Sequence, residues 1–375
     1  QGKKSLVDLL KKAQEFQLNI ERLQKDLLNA RNVDWKQKNQ LEQLKKDYQS
    51  LLKDIDATKD QLQNSFDEKQ QLSKEDEALL EKQKLIDELL NQLMDDELKK
   101  LLDDLDKLLD NNNKEQQQKS LDELKLSSGE LNKQLDRSLE MLKKMQVDEK
   151  IDANENELKK LADQQEKLKN KIESKKIDKN VGAKKQDEIN DLFKQVKEDL
   201  NKLDELNKDL NRPMNLPDLE NDEKEIDSEL NEAKDNLSKG KESKASQNQK
   251  SAAEKMKELA DKMDQAQNKS NQEQQGEDIE MLREILESLV SLSLDQEKLM
   301  MDFSVIKQND PSYRKLSRNQ RLLIDNTVPV SDSLYELAKR QPMLSRFIDE
   351  ELRSINSNLK LGMDAIGERQ MRKIG

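Results

Sequence analysis

The chain has 375 residues and a formal net charge of −12, with 39% charged and 32% hydrophobic residues. An ordinary globular domain is roughly 45–50% apolar and about 25% charged, so this chain lacks the side chains for a thick, many-layered core. Its 8 Gly and 5 Pro are too few for the turns of an all-β or α/β domain of this length. The acidic charge repels nucleic-acid phosphate on average and argues against nucleic-acid binding.

The chain contains no His and no Cys. The commonest general base and transition-metal ligand is therefore missing, as are thiolate nucleophiles, disulfides and Cys-type zinc sites. Paired carboxylates are abundant by composition alone and carry no catalytic signal. We predict a protein that is not an enzyme, with no catalytic, metal-binding or cofactor-binding residues and no cofactor.

Leucines and other apolar residues recur at intervals of three and four, which predicts long amphipathic helices. Heptad-spaced stripes occupy 16–30 and 41–55, and a doubled-leucine stripe follows over 79–109. Breaks are predicted where Asn, Ser, Gly or Pro cluster, at 110–113, 127–129, 180–182 and 212–217. The helices between these breaks are expected to fold back as antiparallel coiled-coil hairpins.

Two polar tracts, 238–251 and 267–277, are predicted to be linkers around a short Ala/Met helix. The residues Ser238-Lys239-Gly240-Lys241 resemble a phosphate loop only superficially, because its first glycine would fall at Asp235. An acidic run over 95–110 lacks the spacing of a calcium loop and is interpreted as a solvated helix face.

From Ile279 onwards the apolar residues are denser and the sequence contains three of the five prolines, which predicts shorter helices. Asp310-Pro311 is expected to start a helix, Val328-Pro329 to end it, and Gln341-Pro342 to break the chain again. Some methionines lie at helical spacing or beside leucines, which favours core filling over the alternative of a Met-rich adaptable binding surface: Met256, Met263, Met281, Met300 and Met301. A broad apolar face is predicted at Ile279, Leu282, Ile285, Leu286, Leu289, Leu292, Leu299 and Phe303.

These patterns predict an all-α fold in three parts. Residues 1–212 would form a coiled-coil helical arm, residues 213–278 a set of Pro-bounded helices with polar linkers, and residues 279–375 a compact helical subdomain.

Arginine is concentrated after residue 279, whereas lysine dominates before it. Because a guanidinium pairs bidentately with carboxylates, the C-terminal arginines are candidates for contact with an acidic partner, although exposed charge without a partner remains an open alternative. The candidate partner-binding residues are Arg314, Arg318, Arg321, Arg340 and Arg346.

The C-terminal part of the sequence is too irregular to be generic coiled coil. The most specific are 282–303 (LREILESLVSLSLDQEKLMMDF) and 310–352, which begins DPSYRKLSRNQRLL. Together with further stretches at 135–147, 158–168, 206–220 and 229–263, their order resembles the large inner-membrane proteins of Bacteroidota that share a domain of unknown function.

That resemblance implies membrane helices and β-rich regions upstream, so the chain, which begins at Gln1 and not Met, is expected to be a piece of a longer protein. It also implies a periplasmic location, with anchoring to the inner membrane through the missing N-terminal segments. The resemblance supplies no catalytic residues.

Two functions of different classes are consistent with the sequence. The first is a structural and interaction segment of a cell-envelope protein that binds protein partners through coiled-coil seams and the Arg-bearing C-terminal surface. A second copy of the same chain is one candidate partner. The alternative is a helical ligand-binding or enzymatic bundle with a site in residues 279–375. Peripheral binding to membrane or peptidoglycan is a weaker third interpretation, which the acidic charge disfavours for anionic lipid.

Overall fold

The computed structural model describes residues 2–29, 35–72, 84, 86, 114–307 and 309–368, and the regular structure within them is entirely helical. The predicted all-α class is therefore confirmed. The helices of these residues, numbered in chain order, are α1 (Gly2–Asn29), α2 (Trp35–Leu72), α3 (Lys114–Glu173), α4 (Lys179–Lys208), α5 (Glu220–Ser238), α6 (Glu242–Val305), α7 (Tyr313–Arg340) and α8 (Pro342–Gly367). The doubled-leucine stripe and the break at 110–113 lie outside the described residues. No described helix is long and apolar enough to span a bilayer.

The chain divides into two compact units. Unit 1 comprises residues 1–142 and 277–375, and unit 2 comprises residues 143–276. The boundary near 276 lies close to the predicted one at 278. The predicted boundary at 212 falls inside unit 2, and the first 142 residues share a unit with the C-terminal hundred.

In unit 1, α1 and α2 run antiparallel. Lys12 Nζ lies 2.6 Å from a carboxylate oxygen of Asp54, and the rings of Phe16 and Tyr48 are 5.5 Å apart. The described residues of the apolar stripes predicted for both helices are buried, because residues spaced by three and four share one helix face. The first part of α3 packs along α1, where Lys125 forms a 3.0 Å ion pair with Glu21.

Unit 2 is a bundle of four antiparallel helical segments, formed by the second part of α3, then α4, α5 and the first part of α6. Ion pairs between neighbours show this order: Lys197 with Asp227 joins α4 to α5, and Lys257 with Glu166 (2.8 Å) joins α6 to α3. The buried core includes Leu158, Leu161, Phe193, Val196, Leu200, Ile226, Leu230, Met256, Leu259 and Met263.

The predicted break at 212–217 is confirmed, because a loop connects α4 to α5 there. Pro213 and Pro217 lack the N–H groups that a continuing helix needs. The side chain of Asn207 holds the loop in place: its Oδ1 accepts from the backbone N–H of Met214 at 2.7 Å, and its Nδ2 donates to the Met214 carbonyl at 2.8 Å.

Of three other predicted interruptions, two are wrong and one is displaced. Residues 127–129 lie within α3, where the hydroxyls of Ser127 and Ser128 donate to backbone carbonyls of the preceding turn. The break near 180–182 falls at 174–178 instead, and Asp178 caps α4 by accepting from the backbone N–H of Asn180 at 2.8 Å. The polar tract 267–277 is helical within α6, since it contains no proline to stop a helix.

The first polar tract, 238–251, is also mostly helical rather than a linker, and only residues 239–241 turn between α5 and α6. Gly240 has a φ of +70°, the left-handed conformation that glycine adopts without strain. Its N–H donates to the Leu237 carbonyl at 3.0 Å, and that of Lys241 donates to the Asn236 carbonyl at 2.8 Å. This pattern is the Schellman motif of a helix C-terminus.

The C-terminal part of unit 1 contains three antiparallel segments, the second part of α6 with α7 and α8. Gln320 donates to Gln296 at 2.7 Å between α7 and α6, and the Tyr313 hydroxyl donates to the Ile366 carbonyl at 2.6 Å between α7 and α8. The predicted break at Gln341-Pro342 is confirmed, with Pro342 in the first turn of α8.

Two predictions in this region are wrong. Val328-Pro329 does not end a helix, because Pro329 lies inside α7. Its side chain is exposed, so the ring occupies no space in the core. Met300 and Met301 are 39% and 56% exposed and are not core residues, whereas Met256 and Met263 are buried as predicted.

Candidate functional site

Three of the predicted partner-binding arginines form an exposed row on α7. Arg314, Arg318 and Arg321 are spaced by four and three residues, which places them on one face of the helix. Tyr313 and Leu316, which lie next to this row in sequence, are buried and fix the orientation of α7. The row extends about 10 Å along the helix at ~1.5 Å per residue and presents three guanidinium groups to solvent.

Arg340 is placed differently. Its Nη1 lies 2.7 Å from Asp278 Oδ1, and the two side chains are only 10% and 6% exposed. The geometry is that of an ion pair without an aligned hydrogen bond between those two atoms. Gln341 donates to the other carboxylate oxygen at 3.0 Å, and Arg340 Nη2 lies 3.0 Å from the sulfur of Met281. Arg340 therefore connects α7 to α6 inside unit 1, away from the exposed row.

Arg346 lies in α8, but its side chain is outside the described residues. The structure thus brings together three of the five candidate arginines.

A charged cluster around Tyr335 connects α3 to α7 and was missed by the sequence analysis. The Tyr335 hydroxyl donates to Asp136 at 2.9 Å, and Lys339 Nζ lies 2.7 Å from the same carboxylate. Lys133, Arg137 and Lys339 each have their cationic group within 5.0 Å of the ring centroid, a distance at which the aromatic face attracts cations.

The environment of this cluster raises the pKa of two of its groups, Tyr335 and Lys339. Burial raises the pKa of the Tyr335 phenol, and the charge of Asp136 raises it further. Burial by itself lowers the pKa of Lys339, but its hydrogen bonds and charge interactions with Asp136 and Glu336 together outweigh that effect and raise the pKa. The phenol therefore remains a donor and Lys339 a cation at neutral pH, which suits a structural contact. Asp136 and Tyr335 are 199 residues apart in sequence, so no local pattern could have revealed the pair.

A layer of buried amides crosses the core of unit 2. Gln165, Gln186 and Gln249 are each 0% exposed. Gln165 and Gln186 donate to each other at 2.8 and 2.9 Å, Gln249 donates to Gln186 at 2.9 Å, and Gln186 also donates to Asn190 at 3.1 Å. The signal was present in the sequence, because Gln165 occupies the stripe position between Leu161 and Leu168.

An open cleft of about 440 Å³ lies in unit 2 between the ends of α3 and α6. It is lined by Lys169, Glu173, Glu242, Ser243, Ser246, Gln247 and Lys250. Both of its lysines form ion pairs with glutamates of their own helices, at 3.8 Å to Glu173 and 3.5 Å to Glu254. The cleft therefore has no excess of positive or negative charge that would select a charged ligand.

Within the described ranges, no group of three or more acidic side chains is arranged to hold a metal ion. The acidic run over 95–110 lies outside those ranges.

Compared with known proteins, the chain matches no family model, and no curated protein or solved structure gives a significant match. The resemblance to the Bacteroidota inner-membrane proteins therefore stays a prediction.

Proposed function

We propose that this chain is a non-enzymatic structural and interaction segment that binds protein partners through exposed helix faces. The observation that carries the proposal is the row of Arg314, Arg318 and Arg321. Each of these side chains is exposed, whereas the opposite face of α7 is buried in the core of unit 1. The buried face anchors α7 in unit 1 and leaves the arginine row exposed to solvent. Three aligned guanidinium groups suit the carboxylates of an acidic partner segment.

We further propose that this binding takes place in the cell envelope, on the periplasmic side of the inner membrane. The support for the location is the sequence resemblance alone, carried mainly by residues 282–303 and 310–352. The arginine row lies within the second of these stretches.

The test is capture of partners by the full-length protein in cells with a short cross-linker. In the test variant, Arg314, Arg318 and Arg321 are all replaced by Glu. In the control variant, the exposed lysines Lys160, Lys194 and Lys202 of unit 2 are replaced by Glu, so the change in net charge is the same.

We expect the arginine variant to lose a cross-linked protein that the lysine variant retains. Loss in both variants would show a general charge effect, and retention in both would show that the row does not bind a partner. Either result would overturn the proposed surface.

A further inference from the structure

The second part of α6 has an exposed apolar face in addition to its buried one. Ile285, Leu299 and Phe303 are buried against α7 and α8. On the other side, a second set of apolar side chains is between 53% and 70% exposed: Ile279, Leu286, Val290, Leu294 and Met301. Contiguous exposed apolar surface of this kind marks binding sites in soluble proteins.

These residues belong to a stripe with a symmetric spacing. Its seven positions are Ile279, Arg283, Leu286, Val290, Leu294, Glu297 and Met301. They lie four, seven and eleven residues before and after Val290. Because each residue advances about 100° around an α-helix, all seven fall within an arc of roughly 80°. All seven side chains are exposed.

The two charged positions of the stripe match this symmetry. Arg283 lies seven residues before Val290, and Glu297 lies seven residues after it. If two copies of the helix pack antiparallel with a two-fold axis at Val290, each Arg283 lies opposite Glu297 of the other copy. Leu286 then faces Leu294, and Ile279 faces Met301. A parallel pairing would instead place Arg283 against Arg283 and Glu297 against Glu297.

We infer that this stripe is the contact surface for a second copy of the same chain, bound antiparallel through α6. A two-fold interface requires a surface complementary to itself, in which residue i meets residue j and residue j meets residue i. The stripe meets that requirement at each of its seven positions. The inference rests on the proposed function, since it names one protein partner, but it uses residues separate from the arginine row of α7.

The contact is small and predicts a weak dimer. The stripe from Ile279 to Met301 is about 33 Å long at ~1.5 Å per residue. Only five apolar side chains of each copy take part, so we expect a dissociation constant in the micromolar range. The Arg283 and Glu297 pairs lie at the exposed rim and select the antiparallel orientation rather than supplying most of the affinity.

Single cysteines test the geometry, since the chain contains no Cys. Val290→Cys places two thiols at the two-fold axis, within reach of a disulfide, and should give a covalent dimer on mild oxidation. Leu286→Cys is the matched control. In the antiparallel dimer the thiols of two Leu286→Cys chains are offset by about 12 Å along the helix axis, which is too far for a disulfide. A mixture of Leu286→Cys and Leu294→Cys chains should cross-link, because these two positions face each other.

If Val290→Cys and Leu286→Cys each form a covalent dimer when oxidised without the other variant, the pairing is parallel or unspecific. Absence of cross-linking in every variant would show that the stripe is unpaired or is covered within one chain. Both outcomes would overturn the inference, and neither would affect partner capture by the arginine row, which is tested separately.

A charge swap provides an independent test. Arg283→Glu and Glu297→Arg should each weaken dimerisation about tenfold, because two symmetry-related pairs become repulsive. The double variant should restore the wild-type dissociation constant, as should a mixture of the two single variants. Failure of the double variant to recover would contradict the antiparallel pairing.

Discussion

The side-chain amides of Gln165 and Gln186 donate to each other at 2.8 and 2.9 Å across the fully buried core of unit 2. Gln186 also accepts from Gln249, so one side chain connects three helices. Buried amides contribute little net free energy when satisfied but are costly when a partner is removed. The layer therefore fixes how the helices of unit 2 align along their length.

Gln186→Leu should lower the free energy of unfolding of unit 2 by about 2–6 kcal/mol, because the fully buried amides of Gln165 and Gln249 lose their partner at roughly 1–3 kcal/mol each. Urea denaturation followed by circular dichroism measures the change. The triple variant with leucine at 165, 186 and 249 should recover most of the loss, since an apolar layer needs no partners. A single variant as stable as wild type would contradict this role.

Asp278→Ala should destabilise unit 1 by about 3 kcal/mol, because it leaves the guanidinium of Arg340 buried and unpaired. Urea denaturation compares it with Glu287→Ala, which removes an ion pair to Arg283 whose side chains are 81% and 71% exposed. We expect no measurable change in that control, since exposed pairs contribute little. Equal effects of the two substitutions would show that the Arg340 pair does not stabilise unit 1 as a buried pair should.

Gly240→Ala should lower stability by roughly 1–2 kcal/mol, because an L-residue is strained at the positive φ of the α5 C-terminus. No atom lies within 4 Å of the added Cβ, so the cost is conformational and not steric. Gly276→Ala is the control. It lies inside α6 with equally open surroundings and should raise stability by about 0.5–1 kcal/mol. Thermal denaturation of the two variants should therefore shift in opposite directions.

The half-buried Glu223 predicts a pH dependence in unit 2. Burial raises its pKa above the ordinary value of 4.5, and the charges of Asp227 and Glu220 add to that rise while Lys197 opposes it. The folded state thus binds this proton more tightly than the unfolded state, so ionised Glu223 costs stability above its folded pKa. That cost disappears as pH falls below 4.5.

Glu223→Gln should therefore stabilise unit 2 relative to wild type at pH 7, with a difference that shrinks as pH is lowered through the folded pKa. Urea denaturation at several pH values measures it. A difference that grows towards low pH would contradict the direction of the pKa shift.

The helical class could be predicted from the sequence because the three-and-four spacing of apolar residues is a local signal. Breaks were predictable only where helix formation is chemically blocked, as at Pro213 and Pro217. The polar tracts 238–251 and 267–277 were misread, since polar residues without proline form helices readily once one face packs. At Pro329 the sequence predicts a helix end that the structure does not have, because a proline whose ring points to solvent can remain within a packed helix.

The division into units depends on contacts between residues far apart in sequence, which a local pattern does not encode. The pairing of Asp136 with Tyr335 is one such contact. The arginine row on α7 was predictable from spacing, whereas the burial of Arg340 depends on Asp278, 62 positions earlier in the chain. The sequence pattern also could not distinguish the exposed face of α6 from its buried face, since both faces are rich in apolar residues.

Sedimentation equilibrium of the purified chain tests most directly whether its exposed helix faces bind other chains. We predict that the apparent mass rises with concentration from 43.7 kDa towards twice that value. Replacing both Leu286 and Leu294 with Glu should hold it at the monomer mass. A wild-type chain that stays monomeric throughout the micromolar range, or a variant that associates as strongly as wild type, would contradict binding through this face.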